Sequence, residues 1–353
     1  MIIRKIFSLV ASIISLFIFI LFLNTNSISD ENNIKYYSGD KGILSLMYHR
    51  FNEHKNPSTN IQMNVFKEQM EIIQSSSYTF SNPEKFKENF ETPKTNKEIL
   101  ITIDDAFQSF YLEAWPYFKR NKIPFILFVS TEPVGKKGYM TWDQIKEVEA
   151  EKFTSIGHHS HSHGYLIDGD NDLFSSDIEK ANKIFLKNLG YIPNLFSYPF
   201  GEYSKFMRDY ISQNFDYAFG QHSGVIDLNK DKFELPRFPI NENYGDLKRF
   251  SSIINSFPLE YEQLLPLEKN LSAENNPPNF QVKFFNEQKN IKSINCYSNE
   301  LDKWEKSNTS LNNKILTIKF RGPFIPRRGR INCSLNDNGK WRWFGVQFPI
   351  KEN

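Results

Sequence analysis

The chain has 353 residues, of which 43 are Lys or Arg and 41 are Asp or Glu, so its formal net charge is +2. This near-balance leaves no strong positive field of the kind that attracts nucleic acid, and we expect no nucleic-acid partner. The length is enough for about two domains with sizeable cores, and an aromatic content of 15% supplies ample core-forming side chains.

The N-terminus has the pattern of an export signal. Arg4 and Lys5 precede an apolar run from Ile6 to Leu23, and a polar flank follows. A positive region before an apolar one is typical of secretory signal peptides, and the run is close to the roughly 17–25 residues that cross a bilayer. We therefore expect residues 1–29 to be a signal peptide or an uncleaved signal anchor. The remainder would be exported to the periplasm or cell envelope, anchored to the inner membrane if the segment is retained.

Residues 36–262 alternate strand-like and helix-like segments. Nearly continuous apolar runs at Ile43–Tyr48, Glu98–Ile103 and Pro124–Ser130 are typical of strands that are covered on both faces. Helical spacing follows such runs, for example in Val65–Gln74. Repeated β-then-α units predict an α/β domain with a parallel sheet, closed or nearly closed into a barrel.

Polar residues follow four of these predicted strands. His49 follows the first run, Asp104-Asp105 follows "EILITI", a histidine cluster follows "SIG", and a Tyr-Pro-Phe-Gly turn follows "NLF". In barrels of this type the C-terminal strand ends carry the catalytic residues. We expect the four segments to meet at one site.

The segment "GHHSHSH" contains four of the seven histidines in the chain. Neutral imidazole is the commonest protein ligand of zinc-like ions, and a catalytic zinc takes three protein ligands and keeps one open position. His159 and His163 with Asp105 would supply three ligands, which leaves Asp104 free to accept a proton. On the residues alone, a solvated histidine-rich loop and an Asp pair that caps a helix remain as alternatives.

Three motifs together carry a family resemblance. "TIDDAFQS", "GHHSHSH" and "FSYPFGEY" resemble the ordered motifs of the polysaccharide deacetylases, the NodB-homology domains of carbohydrate esterase family four. The resemblance implies a distorted, incomplete (β/α) barrel over residues 36–262. It also implies a divalent metal, most often Zn²⁺, held by Asp105, His159 and His163, with Asp104 as the general base.

The segment "SLMYHRF" resembles a subgroup, the poly-N-acetylglucosamine deacetylases, in which the general-acid histidine precedes the Asp-Asp motif. The resemblance gives His49 that role; a strand-end core histidine is the alternative. Two positions depart from the family pattern. Ala106 stands where the family has Gly, and Ser197 stands where many members have an Arg that steadies the base.

Further residues near the predicted strand ends are candidates for substrate contact. We expect this role for five residues: Tyr198, Phe200, Trp142, His222 and Arg237. Packing against a neighbouring helix is the alternative for Trp142. Arg237 could instead pair with Asp104 in place of the missing Arg, or with a surface carboxylate.

The function that the resemblance implies is removal of N-acetyl groups from an envelope polysaccharide that contains N-acetylhexosamine, with release of acetate. An O-acetyl esterase of the same family and an inactive carbohydrate-binding protein on the same barrel remain as alternatives. A phosphoesterase or amidohydrolase site is disfavoured, because His222 is the only histidine after His163 to act as a further ligand.

The C-terminal part has a different character. The Pro/Asn/Ser-rich residues 263–277 read as a linker, and short strand-like runs in residues 278–353 predict a small β-sandwich-like accessory domain. Cys296 and Cys333 both fall on predicted strands. In an exported protein this pair predicts a disulfide, and we expect it to cross the sandwich.

Overall fold

A parallel sheet surrounded by helices forms the first part of the chain, and two antiparallel sheets form the second. The computed structural model describes residues 41–91, 97–288, 290–325 and 327–351. The predicted export segment, residues 1–29, lies outside these described residues. None of the described helices is both long enough and apolar enough to cross a membrane.

The strands are numbered in chain order. Those of the first part are β1 (Ile43–Tyr48), β2 (Arg50–Phe51), β3 (Asn60–Ile61), β4 (Thr79–Phe80), β5 (Glu98–Asp104), β6 (Phe125–Val129), β7 (Thr154–His158), β8 (Leu195–Ser197), β9 (Tyr217–Phe219) and β10 (Phe238–Pro239). Those of the second part are β11 (Phe257–Pro258), β12 (Gln263–Leu265), β13 (Gln281–Lys283), β14 (Asn295–Ser298), β15 (Glu305–Lys306), β16 (Asn308–Asn312), β17 (Ile315–Lys319), β18 (Arg328–Asp337) and β19 (Lys340–Pro349).

The α-helices of the described chain all belong to the first part. They are α1 (Met63–Gln74), α2 (Phe86–Glu91), α3 (Trp115–Asn121), α4 (Trp142–Glu149), α5 (Asn171–Leu189), α6 (Lys205–Asn214) and α7 (Leu247–Ile254). Most of them follow a strand and lead to the next one, which is the connection that parallel strands require.

The first sheet has the strand order β10-β1-β5-β6-β7-β8-β9, with β4 beside β5, and all its pairs are parallel. Every residue of β1, β5 and β6 is buried, as expected for strands that are covered on both faces. The segment from Leu235 to Pro239 runs between the two edges. Leu235 donates its backbone N–H to Ala218 in β9 at 2.9 Å, and Phe238 and Pro239 pair with β1. The predicted incomplete, distorted barrel is confirmed.

The second part is a two-layer arrangement. A five-stranded sheet, β11-β19-β18-β14-β15, faces a four-stranded sheet, β12-β13-β17-β16. One buried apolar cluster takes residues from both sheets, such as Val282 on β13 and Phe344 on β19. This packing confirms the predicted sandwich-like fold.

The predicted linker, residues 263–277, is not a free connection. Its first three residues are strand β12, which pairs with β13, and Leu271 is buried in the core of the sandwich. Just before it, β11 pairs with β19. The Pro/Asn/Ser composition was therefore misleading, because the few apolar residues between the turns are enough to attach the segment to the sheets.

Cys296 and Cys333 form a disulfide. They lie directly opposite each other on β14 and β18, which are neighbouring strands of one sheet. The expectation of a bridge across the two layers is thus wrong, because both strands belong to the same layer.

Candidate active site

The polar segments lie at one rim of the barrel. His49 follows β1, Asp104 is the last residue of β5, His159 follows β7 and Tyr198 follows β8. Parallel strands bring their C-terminal ends to the same side of a sheet, so the four segments share this rim.

Asp105, His159 and His163 converge on one point. Oδ1 of Asp105 lies 3.3 Å from Nε2 of His159 and 2.9 Å from Nε2 of His163, and one ligand atom of each residue lies within 4.8 Å of the others. Two atoms that each bind one ion at about 2 Å in tetrahedral geometry are about 3.3 Å apart. Oδ1 of Asp105 and Nε2 of His159 are also buried without a hydrogen-bond partner in the described chain. This donor set suits a divalent metal.

The loop that carries the histidines is held by side chains. The Ser160 hydroxyl accepts the backbone N–H of His163 at 3.1 Å. The carboxylate of Asp177, on α5, accepts the backbone N–H groups of His161 and Ser162, at 2.7 and 3.0 Å. These bonds bend the loop tightly enough to bring His159 and His163 to the same side.

A hydrogen bond on the side of the ring opposite Asp105 fixes the orientation of His159. Its Nδ1 lies 2.7 Å from the backbone carbonyl oxygen of Ser197, to which it donates. Nε2, the other ring nitrogen, points toward Asp105. A carbonyl behind the ring is the usual way in which proteins fix the tautomer of a metal-binding histidine.

Asp104 lies beside this convergence, with its Oδ2 3.9 Å from Nε2 of His159, and binds Arg237. Nη1 and Nη2 of Arg237 lie 2.7 and 2.8 Å from the two carboxylate oxygens, and both side chains are fully buried. Burial raises the pKa of Asp104, but the charges of Arg237 and His159 outweigh it, so the net pKa is below its usual value. Ser197 Oγ accepts a further bond from Nη2 at 2.8 Å.

The substrate contact that we predicted for Arg237 is wrong. A fully buried guanidinium that is bonded to Asp104, Ser197 and the Gly220 carbonyl cannot reach a polymer outside the site. The alternative, a pairing with Asp104, is what the structure shows. The barrel-closing segment thus supplies the arginine that the third motif lacks.

His49 is partly exposed at the end of β1. Burial lowers the pKa of His49, and the carboxylates of Asp105 and Asp104 act in the opposite direction without reversing the shift. The ring is therefore within electrostatic reach of both acids. A partly exposed imidazole therefore stands at this rim, in the neighbourhood of the two acids.

The other predicted substrate contacts separate into three groups. Phe200 lies at the site, with its ring centroid 4.6 Å from that of His163. Tyr198 is fully buried between Phe196 and Tyr203, so its predicted contact is wrong. Trp142, at the start of α4, packs edge-on against Phe185 of α5, with ring centroids 5.9 Å apart. This helix packing is the alternative that we considered.

The contact predicted for His222 is also wrong. Its ring is buried and lines a cavity of about 240 Å³ together with Glu234, Tyr261 and Lys269. This cavity lies where the barrel meets the sandwich, because its lining comes from both parts. His222 follows the C-terminal end of β9 by three residues, which suggested a place at the rim. The chain turns toward the sandwich at this point instead.

Two other histidines of the cluster have structural positions. His158 is fully buried among the rings of Phe185, Phe196 and Phe215, and burial lowers its pKa to about 3. His161 contacts the Thr131 hydroxyl through Nδ1 at 2.8 Å. Only two of the four clustered histidines therefore face the metal position.

Several residues at this rim have left-handed backbone angles that are unusual outside glycine. They are Asp105 (φ 74°), Ala106 (φ 53°), Ser160 (φ 69°), His163 (φ 51°) and Phe200 (φ 58°). Each such residue costs of order 1–2 kcal/mol and persists where its surroundings hold it. Each of the three segments that carry the candidate site thus contains at least one strained residue.

Two residues that shape the site were missed by the sequence analysis. Asp177 holds the histidine loop from α5, and Gln347 on β19 donates to the carbonyl oxygens of Phe200 and Gly201 at 2.9 and 3.0 Å. Neither lies near a motif in the sequence. A buried acid in the amphipathic pattern of α5 was the one available signal for Asp177, and none marked Gln347.

Comparison with known proteins agrees with this geometry. Residues 91–218 match the sequence model of the family described as polysaccharide deacetylase. A poly-beta-1,6-N-acetyl-D-glucosamine N-deacetylase of Staphylococcus aureus is 22% identical over 247 residues, which cover 61% of this chain and 84% of the relative. The protein of the same name from Staphylococcus epidermidis is 23% identical over 251 residues, which cover 62% of this chain and 86% of the relative.

Solved structures share the fold. The Streptococcus pyogenes deacetylase PplD in complex with acetate superposes with a TM-score of 0.56 at 21% identity, covering 61% of this chain and 99% of that chain. IcaB from Ammonifex degensii superposes with a TM-score of 0.55 at 24% identity, covering 61% of this chain and 98% of that chain. The barrel therefore has the fold of these two proteins.

Proposed function

We propose that this chain, which belongs to the polysaccharide deacetylase family, is a metal-dependent hydrolase that removes N-acetyl groups from an N-acetylhexosamine polysaccharide of the cell envelope. The observation that carries the proposal is the pairing of two acids with different partners. Asp105 is in close contact with His159 and His163, whereas Asp104 forms an ion pair with Arg237. The names of the curated relatives, poly-beta-1,6-N-acetyl-D-glucosamine N-deacetylases, support the choice of substrate.

The ligands of the metal would be Asp105, His159 and His163, and we propose Zn²⁺ as the ion. Two imidazoles and one carboxylate are a common catalytic zinc set. When bound, such an ion supplies Lewis-acid chemistry, making water more acidic and polarising a carbonyl.

Asp104 would act as the general base. Arg237 keeps its pKa low and fixes the plane of its carboxylate, so the group is ionised and oriented before substrate arrives. It would accept the proton of the attacking water. His49, in its imidazolium form, would donate a proton to the nitrogen of the departing amine.

The turn that contains Phe200 would face the acetyl group. The backbone N–H of Phe200 is the proposed donor to the oxygen that becomes negative during attack. The ring of Phe200 would exclude water from the acetyl methyl group. Together these roles give acetate and a free amine on the sugar as products.

The N-terminal segment supports a proposed location. Arg4 and Lys5 before the apolar run would direct residues 36–262 and the sandwich across the membrane, to the periplasm or cell envelope. Whether retained as an anchor or removed, residues 1–29 would place the enzyme beside envelope polysaccharides.

Acetate release from β-1,6-linked N-acetylglucosamine oligomers tests the proposal. The purified chain should release acetate, lose this activity after treatment with a chelator and regain it when Zn²⁺ is restored. A metal analysis should find one ion per chain. A chain that is loaded with metal and releases no acetate from any N-acetylated oligomer would instead be a carbohydrate-binding protein.

A further inference from the structure

The sandwich reaches the candidate site through one side chain. Gln347 on β19 is only 2% exposed, and its amide nitrogen donates to the carbonyl oxygens of Phe200 at 2.9 Å and Gly201 at 3.0 Å. Arg330 on β18 donates to the amide oxygen of Gln347 at 3.2 Å. Because the oxygen is occupied by a donor, the nitrogen must be the end that faces the turn.

The turn that receives these bonds is one that needs support. Phe200 and Gly201 are consecutive residues with φ of 58° and 67°, and the left-handed conformation of Phe200 costs of order 1–2 kcal/mol. A Cβ on Gly201 would lie 2.5 Å from the backbone nitrogen of Gln221, so the turn is also packed too closely for another residue type. Gln347 bonds to the two residues that have the unusual angles.

The position of this turn matters to the metal ligands. The Phe200 ring lies edge-on to His163, with centroids 4.6 Å apart, and stacks on Tyr165 with centroids 4.2 Å apart. The Phe200 ring thus forms one wall of the site. A shift of the turn would displace this wall and remove the contact that holds the His163 ring.

A second set of contacts from the sandwich acts on the same wall. The guanidinium of Arg327 lies 3.7 Å from the centroid of Tyr165 and bonds to Asp168 at 2.8 Å. Arg328, the first residue of β18, bonds at 2.8 Å to Glu202, the residue that follows the turn. The sandwich thus contacts both the stacked rings of Tyr165 and Phe200 and the residue that follows the turn.

We propose that the sandwich is a working part of the active site, and that Gln347 is a positioning residue for the Phe200 turn. The inference rests on the proposed deacetylase function, since it concerns the wall against which the acetyl group would react. A displaced turn would weaken the stabilisation of the transition state more than the binding of a long polymer, so kcat should fall more than KM rises.

The test compares two variants of the full chain in neighbouring residues of β19. Gln347→Met keeps the length of the side chain and removes its donor. The matched control, Val346→Ala, shortens a neighbouring side chain that is buried in the sandwich core and makes no hydrogen bond to the turn. Acetate release from N-acetylglucosamine oligomers, metal content and Tm are measured for both.

The expected result is a loss of at least tenfold in kcat for Gln347→Met, with KM changed less than threefold and metal content unchanged. Val346→Ala should keep kcat within twofold even though its Tm falls. An unchanged kcat in Gln347→Met, or equal losses of kcat in both variants, overturns the proposal. If Gln347→Met does not fold, Gln347→Glu takes its place, because Arg330 already bonds to this side chain and can pair with its charge. The same outcomes decide.

A failure of the proposed deacetylase function can be distinguished from a failure of the positioning role by the activity of the unmodified chain. In that case the unmodified chain releases no acetate, and a crystal structure of Gln347→Met decides the positioning role without any activity. A turn displaced from His163 supports the role, and a turn in its original place overturns it.

Discussion

Arg237 holds Asp104 by both of its terminal nitrogens, at 2.7 and 2.8 Å, and neither side chain is exposed. A bidentate pair of this kind fixes the plane of the carboxylate as well as its charge. Arg237 lies on the segment that runs between β9 and β1. The orientation of the proposed base therefore depends on the closure of the barrel.

Replacing Arg237 by Lys should impair catalysis. An ammonium group cannot make two parallel bonds to a carboxylate, so Asp104 would keep a charged neighbour and lose its fixed plane. We expect kcat to fall about 10- to 100-fold, the usual cost of losing such a support, together with a lower Tm. Both are measured by acetate release and thermal unfolding.

The matched control is Arg208→Lys. Arg208 forms a part-exposed ion pair with Asp231 at 2.6 Å, and such pairs contribute little to stability. Activity and Tm of this variant should stay close to those of the unmodified chain. If Arg237→Lys behaves in the same way, the plane of the Asp104 carboxylate is not important for the reaction.

The sequence was sufficient to predict the barrel and the convergence of Asp105, His159 and His163. These features depend on local patterns, namely apolar strands and polar residues where the strands end. The sequence offered the pairing of Arg237 with Asp104 only as an alternative, and it gave no sign that Tyr198 is buried. Both features depend on how the chain after β9 returns to β1, and on which side of a three-residue strand faces the core. Gln347 lies 147 residues from Phe200 in the sequence, and no local pattern connects the two.

Asp104→Asn should separate catalysis from metal binding. An amide cannot accept the proton, so we expect a loss of about 10²–10⁴-fold in kcat, the range of general-base contributions. Metal content should remain at one ion per chain, because Asp104 is not among the three converging ligands.

The companion variant, Asp105→Asn, should instead lose the metal as well as the activity. Both variants are assayed for acetate release and for bound ion after gel filtration. A loss of metal in Asp104→Asn would contradict the division of roles between the two acids.

Ala106→Gly should stabilise the protein. Ala106 has φ of 53° and is buried beside the site. Glycine adopts this conformation without the steric cost that a Cβ brings, although it also gains freedom in the unfolded chain. We expect the free energy of unfolding to rise by up to about 1 kcal/mol, measured by urea titration.

Ala181→Gly is the control for this substitution. Ala181 is buried within α5, where glycine costs roughly 1 kcal/mol relative to alanine. The two variants should therefore change stability in opposite directions. Equal destabilisation by both would mean that the Ala106 backbone is not under strain.

His222→Gln should flatten the dependence of stability on pH. Burial, followed by the charges of Lys269 and Arg237, lowers the pKa of His222 to about 4, whereas in the unfolded chain it is about 6.5. Between these values the unfolded chain binds a proton that the folded chain does not. The contribution of His222 to stability is thus complete above about pH 6.5 and is lost as the pH falls toward 4, at up to about 1.4 kcal/mol per pH unit. Glutamine does not titrate, so the variant should lose less stability between pH 7 and pH 5 than the unmodified chain.

His54→Gln, which replaces an exposed histidine, is the control, and its unfolding curves should follow the unmodified chain at each pH. Parallel losses in all three proteins would show that the ring of His222 is already protonated in the folded state near pH 6.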